Sequence, residues 1–308
     1  MNASFPLDRH GVRLQFERRA GKFAAHDAVL REIESRMLER LDLMRIEVAR
    51  AIDLGCGPGR SLAALARHFP RAFVVGVDVA HAPLLGARGE VGALAAVRRL
   101  LASVRPSHSA PALVEADFSA LPFADASFDV AWSNCALHFD PEPHRTLASW
   151  ARLVRPGGLV LFSCFGPDTL AELREHWPGD RRASFIPFVD MHDIGDMLVE
   201  AGFTAPVIEM ENLTLTYPDA DALLAELHAL TGNPRADRPR ALAGRSHRQA
   251  VIAALEHLRD ADGRLAVRLE VVTAHAWRAE PRQQTERLPD GSTATRVPLS
   301  GIARKPRA

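Results

Sequence analysis

The sequence predicts an α/β fold in which helices cover both faces of a mostly parallel sheet. Residues 48–54 form a short apolar strand, a glycine-rich turn follows, and residues 61–69 place apolar side chains on one face of a helix. A second, β-branched strand at residues 73–78 comes within about 30 residues of the first, which is the pattern of a βαβ unit. With 308 residues and a 47% hydrophobic composition, the chain is long and apolar enough to bury a core.

The region before the first strand is predicted to be helical. Over residues 11–45, apolar side chains recur every three or four positions, at Ile33, Met37, Leu41 and Met44. We therefore assign residues 1–45 to an N-terminal helical cap, and we expect the helices of residues 11–45 and 219–259 to fold over the substrate side as a lid.

The alternation of strands and helices continues through the rest of the chain. Further strands are predicted at residues 112–115, 128–133, 159–164, 207–216 and 265–277, which makes seven in all. Helices are predicted at residues 84–104, 147–154 and 190–201, with an Arg-rich helical insertion at about 219–262. Residues 46–278 thus form the main domain. Residues 279–308 mix Pro, Gln, Thr and Arg without a period, and we expect them to be disordered.

Charge and composition exclude several classes of protein. Basic and acidic residues number 38 each, so the chain lacks the strongly basic character of many nucleic-acid-binding proteins. No apolar run approaches the ~18 residues of a membrane helix, and the N-terminus has no signal-peptide pattern. The three cysteines are too scattered for a disulfide framework or a zinc site. We expect a cytoplasmic protein without a metal site and without a membrane or nucleic-acid partner.

The turn after the first strand carries the strongest chemical signal. It runs Asp53-Leu54-Gly55-Cys56-Gly57-Pro58-Gly59, and its spacing is G-x-G-x-G rather than the G-x-G-x-x-G of dinucleotide sites. Asp53 stands two residues before the first glycine, where it repels a phosphate and attracts an ammonium group. Asp78 ends the second strand, where a carboxylate can accept hydrogen bonds from both hydroxyls of a ribose.

A third acidic motif, Glu115-Ala116-Asp117-Phe118, follows the third strand. Together with the glycine turn and Asp78, it resembles the class I S-adenosylmethionine-dependent methyltransferases, which have a Rossmann-like fold. The resemblance implies that Gly55 and Gly57 let the backbone approach the amino-acid part of the cofactor. It also implies that Asp78 holds the ribose and that Asp117 and Phe118 hold the adenine. The implied S-adenosylmethionine site further includes Asp53, Cys56, Gly59, Val79, Asn134 and Leu137.

Three longer stretches are more specific than the cofactor motifs. They lie before the first strand, after the fourth and after the fifth, at residues 16–37, 133–147 and 163–195. Together they resemble the malonyl-[acyl-carrier-protein] O-methyltransferases of biotin synthesis, over nearly the whole chain to about residue 278. The chain departs from that family at Phe23, near which many members carry a Tyr-Asp pair, and at Phe139, where Trp is common.

This resemblance implies methyl transfer to the free carboxylate of a malonyl thioester, on acyl carrier protein or on coenzyme A. Such a carboxylate is ionised at pH 7, because carboxyl groups have reference pKa values of about 4. It needs no general base, only alignment in a dry pocket that offers a cationic or hydrogen-bonding donor. His138 is our first candidate for that donor, and Phe165 is a candidate wall of the same pocket. A packing role in the core is the alternative for both.

Three arginine-rich clusters are candidates for docking an acidic carrier protein, because opposite charges steer association. They are Arg18, Arg19 and Lys22; Arg181 and Arg182; and Arg235, Arg238, Arg240, Arg245 and Arg248. A solvated face is the alternative for each cluster.

Two other functions stay open on the sequence. The third stretch and residues 191–203 also resemble the mitochondrial complex I assembly factor, a methyltransferase-like protein linked to arginine hydroxylation. A methyltransferase for another small acid or a quinone is the second alternative. The N-terminal segment from Arg18 to Phe23 favours the malonyl enzyme.

Overall fold

The computed structural model describes residues 4–23, 25–89, 110–230, 232–238, 244–280, 284–287 and 293–296. Its main strands are β1 (Arg50–Leu54), β2 (Phe73–Asp78), β3 (Ala112–Glu115), β4 (Phe128–Ser133), β5 (Val154–Phe165), β6 (Phe203–Tyr217) and β7 (Leu265–Arg278). They form a seven-stranded sheet in the order β3-β2-β1-β4-β5-β7-β6. β1 to β5 pair in parallel, whereas β7 is antiparallel to β5 and β6. The prediction of a mostly parallel sheet is confirmed.

Helices join the strands. Their described bounds are α1 (Arg9–Phe23), α2 (Ala28–Asp42), α3 (Arg60–His68), α4 (residues 81–89), α5 (Pro143–Leu153), α6 (Ala171–His176), α7 (Arg181–Ser184), α8 (Met191–Glu200), α9 (Ala220–Leu230) and α10 (Arg245–Glu256). A 3-10 turn, Leu137–Phe139, follows β4. None of these described helices combines the length and the apolar character that crossing a membrane demands.

Alternate residues of each central strand point to opposite faces of the sheet, and both faces are covered. On one face, Val130, Trp132 and Leu161 pack with α2, α3, α9 and α10. On the other face, Ala131 and Phe162 pack with α5 and α8. All five side chains are fully buried. Strands buried on both faces read as continuous apolar runs, which is why the sequence predicts them well. Their parallel arrangement brings the carboxyl ends of β1, β2 and β4 to one edge.

The N-terminal region differs from the single helical stretch that its periodicity predicts. It forms two helices, α1 and α2, separated by a turn that includes residues 25–27. Asp27 precedes α2 and is 1% exposed, and its carboxylate pairs with Arg31 and with Arg60 at the start of α3. This buried ion pair ties the turn to the end of the glycine loop. It is a contact between distant parts of the sequence, so local spacing does not reveal it.

The C-terminal half keeps the predicted strands but extends them. The helical insertion contains α9 and α10, and residues 232–238 between them are not helical. In the tail, β8 (Gln284–Arg287) pairs antiparallel with β9 (Thr293–Arg296), so the prediction of disorder is wrong for these two segments. The other residues of the tail beyond residue 280, and residues 90–104 of the predicted helix, lie outside the described residues.

Helix α2 belongs to the core, and the contribution of its packing to the free energy of unfolding can be measured. Met37 is fully buried in the cluster that contains Trp132. We expect Met37→Ala to lower the free energy of unfolding by about 2–5 kcal/mol, because the shortened side chain leaves a cavity. The matched change Leu43→Ala, at an 85% exposed position just after the same helix, should cost less than about 0.5 kcal/mol in denaturant unfolding. Equal effects of the two changes would show that α2 is a detachable cap.

Candidate active site

A cavity of about 280 Å³ lies at the carboxyl edge of the sheet. The glycine turn after β1, the residues that follow β2 and β4, and helix α1 supply its walls. The predicted site residues that line it are Gly55, Gly57, Asp78, Val79, Phe118, Asn134, His138 and Phe165. Other lining residues come from α1 and α4 and were not predicted from the sequence, among them Val12, Phe16, Ala82, Pro83 and Gly86. Most of the predicted residues thus meet around one space.

The three glycines of the turn have different roles. All have positive φ, at 79° for Gly55, 51° for Gly57 and 83° for Gly59. A Cβ atom at Gly55 would lie 2.5 Å from Cβ of Ala136, and one at Gly59 would lie 2.8 Å from Cβ of Ala87. These two glycines therefore allow close packing of the chain itself. A Cβ atom at Gly57 would meet no described atom within 4 Å, so this glycine leaves room on the cavity side for a ligand.

Acidic side chains surround the glycine turn. Asp53 is 1% exposed, and its Oδ2 atom is buried without a hydrogen-bond partner among the described residues. Burial, and then the proximity of Glu34 and Asp78, raises the pKa of Asp53 well above its usual value. Burial also raises the pKa of Asp78 to about 6, although this carboxylate accepts hydrogen bonds from the N–H groups of Gly57 and Ala80, each at 2.9 Å. A cationic ligand would stabilise these carboxylates in their charged form.

Asp117 and Phe118, which follow β3, take different positions. Phe118 lines the cavity, and its ring meets that of Trp150 edge to face with 6.0 Å between centroids. Asp117 Oδ2 accepts a hydrogen bond from Arg9 Nη1 at 2.8 Å, and its Oδ1 accepts from both the N–H and the hydroxyl of Ser119. Although burial opposes the effect, the hydrogen bonds from Ser119 and Arg9 lower the pKa of Asp117. The Asp117 carboxylate is thus charged and joined to α1.

His138, in the 3-10 turn after β4, is buried among aromatic rings. Its ring centroid lies 4.4 Å from that of Phe139, 4.8 Å from that of Phe165 and 5.6 Å from that of Phe188. Its Nδ1 atom accepts a hydrogen bond from the Phe165 N–H at 3.4 Å, and its Nε2 atom is buried with no partner among the described residues. Burial lowers the pKa of His138 to about 3. The ring is therefore neutral at pH 7 and carries its proton on Nε2, as a hydrogen-bond donor rather than a cation.

The remaining predicted site residues serve the wall or the core. Asn134 lines the cavity, but its Nδ2 donates to the Leu30 carbonyl at 2.9 Å and its Oδ1 accepts from Ser163 Oγ at 2.8 Å. The side chains of Leu137 and Cys56 pack into the hydrophobic clusters on opposite faces of the sheet. The predicted residues that do not line the cavity are Asp53, Cys56, Gly59, Asp117 and Leu137.

Helix α1 covers one side of the cavity, as the predicted lid. Its apolar residues Val12 and Phe16 line the cavity, and the Phe16 ring meets that of Phe139 edge to face at 5.0 Å. Glu17 accepts hydrogen bonds from the N–H groups of His81 and Ala82, at 2.6 and 2.9 Å, at the start of α4. The spacing of Val12 and Phe16, one helical turn apart, is the sequence signal that would have identified this inward face.

The structure separates the members of the three arginine clusters into enclosed, paired and exposed residues. Arg235 is 9% exposed, and its Nε and Nη2 atoms donate to Asp237 at 2.8 and 2.6 Å. Arg248 pairs with Asp221 at 2.6 Å. Arg240 lies outside the described residues, and Arg19 turns inward. The exposed basic residues of these clusters are Arg18, Lys22, Arg181, Arg182, Arg238, Arg245 and Arg248.

Comparison with known proteins shows the family to which this chain is similar. A family model described as "Methyltransferase domain" matches residues 52–162. A malonyl-[acyl-carrier protein] O-methyltransferase from Laribacter hongkongensis is 40% identical over 290 residues, which cover 93% of this chain and 95% of the relative. The chain belongs to this family of methyltransferases. A second relative with the same name, from Methylovorus sp., is 38% identical over 307 residues, which cover 99% of this chain and 97% of its own length.

The solved structures agree on the fold. The YcgJ protein from Bacillus subtilis superposes with a TM-score of 0.54 at 15% sequence identity, covering 82% of this chain and 100% of that protein. The predicted Rossmann-like class I methyltransferase fold is thus confirmed. The sequence resembles more than one family, and the sequence identity of 38–40% over nearly the whole chain supports the malonyl-[acyl-carrier protein] O-methyltransferases.

The neutrality of His138 gives a prediction for nuclear magnetic resonance. With a pKa of about 3, its ring ¹⁵N signals should stay constant from pH 5 to pH 8 in the folded protein. The same histidine in urea should titrate at about 6.5. Because only the unfolded state takes up this proton between the two values, the free energy of unfolding should fall as the pH drops below about 6.5. Signals that vanish in His138→Gln identify the ring. A folded-state titration near pH 6 would contradict the assignment.

Proposed function

We propose that this methyltransferase uses S-adenosylmethionine to esterify the free carboxylate of a malonyl group carried by acyl carrier protein. The proposal is carried by one arrangement: residues of the acidic glycine turn and His138 line a single cavity, and the buried Nε2 donor of His138 has no partner among the described residues. The names of the relatives support the same substrate. The resemblance in the sequence suggests that the ester serves an early step of biotin synthesis.

The residues around the glycine turn fit S-adenosylmethionine. This cofactor carries an ammonium and a sulfonium charge, and the carboxylates of Asp53 and Asp78 have no cationic side chain paired with them among the described residues. Gly57 leaves the backbone open to the cavity, and Asp78 and Phe118 line it. Asp78 would accept hydrogen bonds from the ribose hydroxyls, and Phe118 would form an apolar wall for the adenine. When bound, the cofactor supplies the electrophilic methyl group on its sulfonium.

The substrate end of the cavity differs in polarity. His138 is held by the Phe165 N–H at Nδ1, so its Nε2–H has a fixed direction and is free to donate to an incoming carboxylate oxygen. The rings of Phe139 and Phe165 pack against it and exclude water. Because a malonyl carboxylate is already ionised at pH 7, the side chains need only orient it and keep the pocket dry. A neutral N–H donor can hold the carboxylate in this pocket by a hydrogen bond.

Asp78 provides a test of the cofactor half of the proposal. We expect Asp78→Asn to weaken S-adenosylmethionine binding by about 1.5–3 kcal/mol, the scale of hydrogen bonds to a charged group. Titration calorimetry measures this, with Asp196→Asn, an exposed change on α8, as the control. Because the pKa of Asp78 is about 6, wild-type affinity should fall as the pH drops below that value, and the variant should lose this dependence. Unchanged affinity in Asp78→Asn would rule out the assigned ribose contact.

The methyl-transfer assay tests the function as a whole. Purified protein, S-adenosylmethionine and malonyl carrier protein are mixed, and the methyl ester is followed by mass spectrometry. Malonyl carrier should be methylated at a rate far above that of acetyl carrier, because the acetyl group has no free carboxylate to act as nucleophile. Malonyl-coenzyme A tests whether the carrier protein itself is needed. No ester above background from either malonyl thioester, with cofactor binding demonstrated, would overturn the proposal.

A further inference from the structure

Arg19 is a partly buried cation on the helix that covers the cavity, and the roles described above do not use it. It lies on α1, three residues after Phe16 and four before Phe23, and both of these side chains line the cavity. Residues at these spacings share one face of a helix, so Arg19 belongs to the inward face of the lid. Its neighbours on α1, Arg18 and Lys22, are exposed.

The guanidinium group of Arg19 is enclosed between α1 and the segment that follows α9. Its Nη1 atom is buried and has no hydrogen-bond partner among the described residues. A Cβ atom added at Gly232, where φ is 55°, would clash with that Nη1 atom, so the absence of a side chain at this position makes room for the guanidinium. Burial, and then the proximity of Arg238, lowers the pKa of Arg19.

No acidic side chain in the described part of the chain forms an ion pair with Arg19. The two acids of the neighbouring segments are already engaged: Glu226 pairs with His26 at 2.9 Å, and Asp237 pairs with Arg235 at 2.6 Å. The exposed Arg238 adds a second positive charge on the solvent side. The charge of Arg19 is partly enclosed and has no acidic partner among the described residues, and the charge of Arg238 adds to this cost unless an anion binds.

We infer that Arg19 and Arg238 form a binding site for an oxyanion of the acyl substrate, an inference that rests on the proposed function. A guanidinium offers planar, paired N–H donors that match a carboxylate or a phosphate. The acyl substrate contains both groups: the malonyl carboxylate, and the phosphodiester that joins the pantetheine arm to the carrier protein. Either group would satisfy the orphaned Nη1 donor and relieve the repulsion between the two arginines.

The test compares Arg19→Gln with Arg71→Gln, which removes the same charge from an exposed position in the turn before β2, outside the candidate docking clusters. Methyl transfer is measured with malonyl carrier protein and with malonyl-N-acetylcysteamine, a thioester that keeps the carboxylate and lacks the phosphate. We expect Arg19→Gln to raise KM for the carrier substrate by about tenfold or more, the range of a charge-assisted hydrogen bond. Arg71→Gln should change KM by less than about threefold, as expected for an exposed charge. Arg19→Lys should recover part of the affinity because it keeps the charge.

Each outcome decides. A loss with both substrates assigns the site to the carboxylate, and a loss with the carrier alone assigns it to the phosphodiester. KM values in Arg19→Gln equal to those in Arg71→Gln overturn the site while leaving the proposed function intact. A wild-type protein that makes no ester overturns the proposed function and this site with it. A ligand-binding role also predicts that the melting temperature of Arg19→Gln is no lower than that of the wild type, because an uncompensated, partly buried charge is removed. A lower melting temperature together with weaker S-adenosylmethionine binding would indicate a structural role and contradict the inference.

Discussion

The burial of negative charge at the glycine turn is the constraint on which the rest of the site depends. Asp53 is enclosed by the sheet, and Asp78 ends the adjacent strand, so both carboxylates lie at the carboxyl edge. Helix α2 adds Glu34, whose pKa is also raised by burial. Arg60 and Arg67 partly offset the charge of Glu34, but Asp53 and Asp78 have no cationic partner among the described residues and cost free energy in the absence of ligand. The large hydrophobic cores on the two faces of the sheet offset this loss of free energy.

The lid follows from the same edge. Helix α1 crosses the cavity with Val12 and Phe16 facing inward. Its polar side chains hold it at three points: Arg9 contacts Asp117, Arg13 contacts Glu115, and Glu17 contacts the start of α4. The lid is therefore bound to two acids at and just after the end of β3, next to the predicted adenine wall. Its opposite end carries Arg19 toward the segment after α9. One helix thereby contacts both the predicted cofactor site and, through Arg19, the site inferred for the acyl substrate.

The residues close together in the sequence were the predictable ones. The glycine turn, Asp78 and Phe118 belong to a local strand-turn-helix pattern, and the structure brings Gly57, Asp78 and Phe118 to one cavity. Contacts between distant segments were not predictable. Asp27 divides the N-terminal helices through a pairing with Arg60. Arg235 is buried where it pairs with Leu7 and where its Nη1 atom donates to the Phe185 carbonyl at 3.3 Å. Composition identified the arginines as basic, but only the tertiary structure separates the exposed Arg18 from the enclosed Arg19.

Proton linkage tests the central claim, that a cationic ligand compensates the buried acids, most directly. The pKa values of Asp53 and Asp78 are raised in the free protein, so a cation bound beside them should lower those values and release protons. Titration calorimetry with S-adenosylmethionine at pH 6, repeated in buffers of different ionisation enthalpy, measures this release. We expect net proton release at pH 6 that is reduced in Asp53→Asn and in Asp78→Asn. Binding with no proton release, or with proton uptake, would contradict the account.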